Sequence, residues 1–180
     1  MIFKAKKHNY KLYNTLLYLS RNLFFYSKIN LKDTFETRVY LIFFHFSIIL
    51  TVFKNKKIDF SQQNYDDLFH SIENDLRELG FGDVCVNKKM KNMNKIFYDI
   101  LLKINKSNNN FSINKDLVLK YFEYLKDSNF DKYELFAQYF TKFYHFCFEL
   151  NPKTMIKDAI KFEVTKWLYQ KEKHQFQEKE

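Results

Sequence analysis

The chain contains only two glycines, and they stand one residue apart, at Gly80 and Gly82. With one proline besides, it lacks the punctuation that β-turns and βα loops require, so long helices joined by Asn, Asp, Ser and Lys loops are expected. The implied class is all-α. Leu68, Phe69, Ile72, Leu76 and Leu79 recur at helical spacing before the glycines, as do Met90, Met93, Ile96, Phe97, Ile100, Leu101 and Ile104 after them. Gly80 follows the last periodic residue, where a left-handed residue ends a helix, and Gly82-Asp83 adds a second flexible point and a candidate cap. Two amphipathic helices therefore meet at a specified corner. Residues 64–83 hold six acids and one arginine, net −5, whereas residues 84–106 hold six lysines and one acid, net +5. The hairpin is a charge dipole.

A chain of 180 residues is long enough for a real core in one domain, expected over residues 1–170 with a charged tail at 171–180. The expected architecture is a bundle of about six to eight helices around the central hairpin. A first helix is predicted over residues 10–26, where Tyr10, Tyr13, Leu16, Leu17, Phe24 and Phe25 recur at helical spacing among polar residues. Asp33 or Thr34 caps the next, which runs to about Lys54 with Glu36 in its first turn. Its stretch from Val39 to Phe53 is fifteen residues without a formal charge, shorter than the roughly 20 a membrane span needs. A central buried helix is the expectation. Ser61 or Asn64 starts the acidic helix of the hairpin. Residues 105–112 form a loop, and Ser112 caps a helix bearing Leu117, Val118, Tyr121, Phe122 and Leu125. Residues 127–131 break that helix before an aromatic one from Leu135 to Cys147, which Asn151-Pro152 ends. A last helix carries Met155, Ile156, Ile160, Trp167 and Leu168.

The net charge of +9 is unevenly placed, because residues 1–63 carry eleven bases against three acids, whereas residues 111–180 carry twelve against eleven. The excess sits in the first third. Lys4, Lys6, Lys7, Lys11, Lys54, Lys56 and Lys57 are the expected docking surface for an anionic partner, ribosomal RNA or an acidic membrane face. Cys85 and Cys147 are far apart with no partner motif, which points to buried thiols in a reducing compartment. Met1 to Asn14 mixes lysines with isolated apolar residues and reads neither as a secretory signal nor as a transit peptide.

The sequence offers no enzyme chemistry. Gly80-Phe81-Gly82 follows a helix and lacks the third glycine of a dinucleotide loop. His70 and Glu73 share a helix face but find no second pair of metal ligands, and His145 and Cys147 point to different sides of theirs. No catalytic residue, metal or cofactor is assigned. Arg77, Glu78 and Asp83 are the polar residues nearest the corner, expected to cap helix ends and to pair with Lys88 or Lys89, or to form a docking surface.

The corner also carries a resemblance. Leu68-Phe69 and Ile72 followed by Asp75-Leu76-Arg77-Glu78-Leu79-Gly80-Phe81-Gly82-Asp83, then Val86, Lys88, Met90-Lys91, Met93 and Phe97-Tyr98, resembles the signature of the ubiquinol-cytochrome c chaperone family, assembly factors of the cytochrome bc1 complex. That signature reads roughly LREXGXGD, then V, P, K or R, then FYGR. Asn87 stands here for its proline and Asp99 for its last glycine. Upstream, Phe24-Phe25-Tyr26, Asp33-Thr34, Arg38 and a Leu41 to Leu50 helix containing His45 are similar too, so the likeness spans about residues 12–104. It implies an α-helical, non-enzymatic chaperone of respiratory complex III with no small-molecule substrate. The implied client is newly made cytochrome b, met near ribosome or membrane, with room for a small helical protein partner. Arg77, Glu78, Gly80, Gly82, Asp83, Lys88, Lys91, Phe97 and Tyr98 are the expected partner-binding residues. A bacterial cytoplasmic member, peripheral on the inner membrane, is expected rather than a mitochondrial one. The competing expectation is a basic RNA- or ribosome-binding helical module, whose affinity would fall steeply with salt.

Overall fold

Fifteen uncharged residues in a row cannot be left to water, and the chain covers them from three sides. A computed structural model describes residues 11–104, 111–125 and 130–164. Among these residues seven α-helices and no strand occur: α1 (Lys11–Ser20), α2 (Phe35–Asn55), α3 (Gln62–Glu78), α4 (Asp83–Ile104), α5 (Lys115–Tyr121), α6 (Phe130–Glu149) and α7 (Met155–Asp158). The fold is all-α. Residues 1–10, the 171–180 tail, Trp167 and Leu168, and most of the loop expected at 105–112 lie outside the described residues.

The predicted first helix stops at Ser20 and gives way to a π-helical turn, Phe24–Lys28. Local polar groups explain the break: Ser20 donates to the Leu17 carbonyl at 2.8 Å, and the Asn22 side chain accepts from Phe24 N at 3.0 Å. Both compete with the helical ladder. The turn swings Phe24 and Phe25 inward, where both rings are buried.

α2 starts where expected. Thr34 is extended (φ −115°, ψ 162°), and its hydroxyl accepts from Thr37 N at 3.1 Å. Asp33, the other candidate cap, instead holds Arg38 through contacts of 2.6 and 2.7 Å. α2 then packs against α1, α4 and α6. Phe43 faces Phe69 and Phe97, Phe44 faces Phe122, Phe136 and Phe140, and Phe46 faces Phe60 and Phe97. Each buried ring contributes about 1.5–3 kcal/mol relative to exposure. By length and composition α2 could cross a membrane, yet 72% of its apolar window is buried inside the protein. It is the core helix, and the α3/α4 hairpin packs on one side of it.

The second half departs from expectation in three places. Asn114, not Ser112, caps α5, accepting from Asp116 N at 2.8 Å and Leu117 N at 3.2 Å. The preceding residues are pinned to α6 instead, because Phe111 stacks on Tyr144 and Tyr133 donates to the Ile113 carbonyl at 3.0 Å. α6 begins at Phe130, inside the predicted break. Among the described residues the helix expected from Met155 onward is broken: α7 ends at Asp158 and passes into a 3-10 turn, Ala159–Lys161, after which Phe162 packs against Tyr139, Phe143 and Phe146.

Candidate functional site

α3 ends in a Schellman motif. Phe81 N donates to the Leu76 carbonyl at 3.2 Å and Gly80 N to the Arg77 carbonyl at 2.9 Å, with Gly80 at φ +87°. A Cβ at Gly80 would meet nothing within 4 Å, so backbone conformation, not space, demands glycine there. Gly82 accepts from Val86 N at 3.0 Å and is the N-terminal flank of α4. Asp83 is therefore a first-turn residue and not the cap, still well placed for the helix dipole.

Arg77 ties the corner together. Its guanidinium donates to Glu73 Oε1 at 2.6 Å, one turn back on α3, and across the bend to the Asp83 carboxylate. Asp83 thus pairs with Arg77 and not with Lys88 or Lys89, and Lys89 Nζ lies 4.5 Å from the centroid of the Phe81 ring. Every residue from 77 to 85 is exposed, including the apolar Leu79 (56%) and Val84 (86%) and the thiol of Cys85. The polar groups of the bend all face outward. Cys85 corrects the expectation of two buried thiols; only Cys147 is buried, and burial pushes its thiol up.

Behind the corner lies a cleft of about 300 Å³, walled by α1, the first turns of α2 and the last turn of α3. Leu17, Phe35, Val39 and Ile42 make it apolar, and Arg21, Arg38, Asp75 and Glu78 charge its lining. Tyr13 donates to Asp75 Oδ2 at 2.5 Å. Burial raises both the Asp75 carboxyl and the Tyr13 phenol. Arg38 is held charged by Asp33, which sits below its ordinary range. Arg38, from the upstream part of the sequence likeness and held by Asp33, thus meets Asp75 and Glu78 of the corner signature around one cleft. Tyr13, Leu17 and Arg21 were absent from the expected site; the period of α1 marked Tyr13 and Leu17 as apolar but not which helix they meet.

Other expected site residues scatter. Lys88, Lys91 and Tyr98 are exposed on α4. Phe97 is fully buried, against Phe43, Phe46, Phe69 and Tyr65, and belongs to the core because its helical phase points at α2. Of the expected anionic-surface lysines, Lys11, Lys54 and Lys57 are exposed, while Lys4, Lys6 and Lys7 lie outside the described residues. Lys56 is half-buried and donates to the Leu150 carbonyl at 2.8 Å. His70 and Arg77 face outward, and no group of three or more metal-ligating side chains occurs among the described residues.

His45 holds the core. Its Nδ1 lies 2.6 Å from the Leu41 carbonyl, which can only accept, so Nδ1 carries the proton and Nε2 accepts from the Tyr139 hydroxyl at 2.9 Å. Phe25, Phe140 and Phe143 meet the ring edge-on, and burial lowers the imidazole to about 3. Asp99, where the signature has glycine, gathers Lys103, Lys120 and Tyr121 at 2.6–3.0 Å and ties α4 to α5. Burial alone would raise its carboxyl, but these donors outweigh burial and lower it.

A family model described as Ubiquinol-cytochrome C chaperone matches residues 27–120, just over half of the chain. The match runs from the end of the π-helical turn through most of α5, so it includes the corner and both cleft walls other than α1. No curated protein and no solved structure matches the chain.

Proposed function

We infer the function from one premise: this chain belongs to the ubiquinol-cytochrome C chaperone family, and so serves as a chaperone in assembly of the cytochrome bc1 complex. The client we assign to it is newly made cytochrome b, bound without catalysis. A subunit with many apolar spans needs a transient apolar partner before its neighbours arrive. The corner and its cleft suit that task. Leu79 and Val84 expose aliphatic surface beside Phe81, and the cleft behind them has an apolar lining large enough for one or two side chains of a passing segment. Arg21 and Glu78 at the lining supply charges of both signs to orient it. So small a contact releases readily, as assembly requires.

The observation that carries this reading is the convergence of the family-like residues Arg38, Asp75 and Glu78 on one accessible apolar cleft. The test is a photo-crosslinking residue at Leu79 in cells making the complex. Cytochrome b should be captured during its synthesis, and Glu78→Lys should reduce the yield. Capture of another subunit of the complex would move the client assignment, and capture of none of them would end it.

A further inference from the structure

α4 is amphipathic twice over. Its inner line, with Val86, Met93, Phe97 and Ile100, is buried against the core. Directly opposite runs a second line, Val84, Lys88, Lys91, Lys95, Tyr98 and Leu102, whose members are separated by alternate steps of four and three residues and so share one narrow face about 27 Å long. All six are exposed, with Val84 at 86% and Leu102 at 63%. No acid competes on it. The two acids of α4 are taken elsewhere, Asp83 by Arg77 at the corner and Asp99 by Lys103, Lys120 and Tyr121 beside α5. From the neighbouring helix α3, Tyr65 reaches the line and donates to the Tyr98 hydroxyl at 3.3 Å.

We propose that this outer face of α4 docks the protein on an anionic lipid bilayer, lying in the plane of the surface. Three lysines in a row meet the negative headgroups, the aliphatic ends Val84 and Leu102 enter the boundary of the acyl chains, and Tyr98 takes the headgroup level that tyrosine prefers. RNA fits the same line less well, since α4 has no arginine and its most exposed ends are aliphatic rather than stacking rings. The corner adjoins one end of the face, so docking would hold the client-binding cleft beside the membrane. The face itself stands without the client assignment.

Co-sedimentation of the full chain with phosphatidylcholine vesicles, with and without phosphatidylglycerol, tests the proposal. Binding should require phosphatidylglycerol and weaken with salt. Replacing Lys88, Lys91 and Lys95 together by Gln should lower the partition coefficient on the order of 100-fold. An equal loss from Lys11→Gln, Lys54→Gln and Lys57→Gln, with the α4 triple variant binding normally, would overturn the assignment. So would equal binding to uncharged vesicles, or binding to poly(U) RNA with none to vesicles. A probe that leaves every lysine in place guards against misfolding: an environment-sensitive fluorophore on Leu102→Cys, in a Cys85→Ser background, should shift to the blue with phosphatidylglycerol vesicles. The same fluorophore on Gln62→Cys should not. No client is present in either measurement, so failure here leaves the chaperone function standing, and the crosslinking experiment can fail alone in the same way.

Discussion

His45 with Tyr139 and Arg77 with Asp83 are both polar pairs within the family-like part of the fold or against it, yet they do opposite things. The first is fully buried and neutral, fenced by Phe25, Phe140 and Phe143. The second is charged and exposed, with 42% of the Arg77 side chain and 80% of the Asp83 side chain in solvent. In a dry site a lost partner leaves a group with no substitute, whereas at the surface water replaces it at once. The inner pair therefore holds α2 to α6, and the outer pair is available to a partner. The family-like stretch thus mixes residues that pack in the core with residues that face solvent, and burial separates them.

The largest effect expected from this contrast is on pH dependence. The His45 imidazole is near 6.5 when unfolded and about 3 when folded, so between those values the unfolded chain binds the extra proton. Stability then rises with pH across this window, by at most about 1.4 kcal/mol per unit, and is lost as pH falls. Asp99, lowered by its partners, acts in the same direction only near and below the ordinary carboxylate range, about pH 4. Asp75, raised by burial, acts the opposite way from that range upward, its contribution being lost as pH rises. The His45 contribution is therefore the difference in urea-unfolding slope between the unaltered protein and a His45 variant from pH 5 to 6.5, where Asp75 is common to both. His45→Gln should flatten the slope; an unchanged slope would remove the buried histidine from the account.

Tyr139→Phe comes next. It leaves the His45 Nε2 acceptor buried without its donor and should cost about 1–3 kcal/mol in urea unfolding. A neutral outcome would mean that a water takes the place of the hydroxyl, and that the interior is less dry than its rings suggest. At the corner, Gly80→Ala should cost about 1–2 kcal/mol through the left-handed backbone alone, since no atom crowds the site. Gly82→Ala makes no such backbone demand and should cost less, about 0.5–1 kcal/mol, because alanine is a poorer helix N-cap than glycine. Equal costs for the two glycines would contradict the Schellman geometry.

The contrast was half legible in the sequence. Gly80 announced the bend because only a left-handed terminus needs glycine after an apolar helix face, and the uncharged run at 39–53 announced a core helix. The cleft was not legible, because Tyr13, Arg38 and Asp75 come from three helices and periodicity does not say which faces meet. Phe97 shows the reverse case: its spacing with Met93, Ile100 and Ile104 marked it as core, while its place in the signature marked it as contact, and packing on α2 decides for the core. Ser112 was the expected cap of α5, but Phe111 stacked on Tyr144 draws the residues before Asn114 onto α6, and the cap falls to Asn114.

The smallest stability effect carries the most functional weight. Arg77→Ala and Asp83→Ala, alone or together, should leave the unfolding midpoint close to that of the unaltered protein, because exposed ion pairs are screened and water solvates the freed group. In cells lacking the native copy, the same variants should lower spectrally visible cytochrome b and c1, since both side chains stand on the exposed bend beside the cleft. Both halves must be measured on one preparation. If the midpoint falls as far as in Tyr139→Phe, the corner is structural after all. If the midpoint holds and assembly is normal, the client contact lies on the cleft walls, and Glu78 and Arg21 become the residues to change. Only a stable protein that fails to assemble the complex makes the outer pair a point of contact.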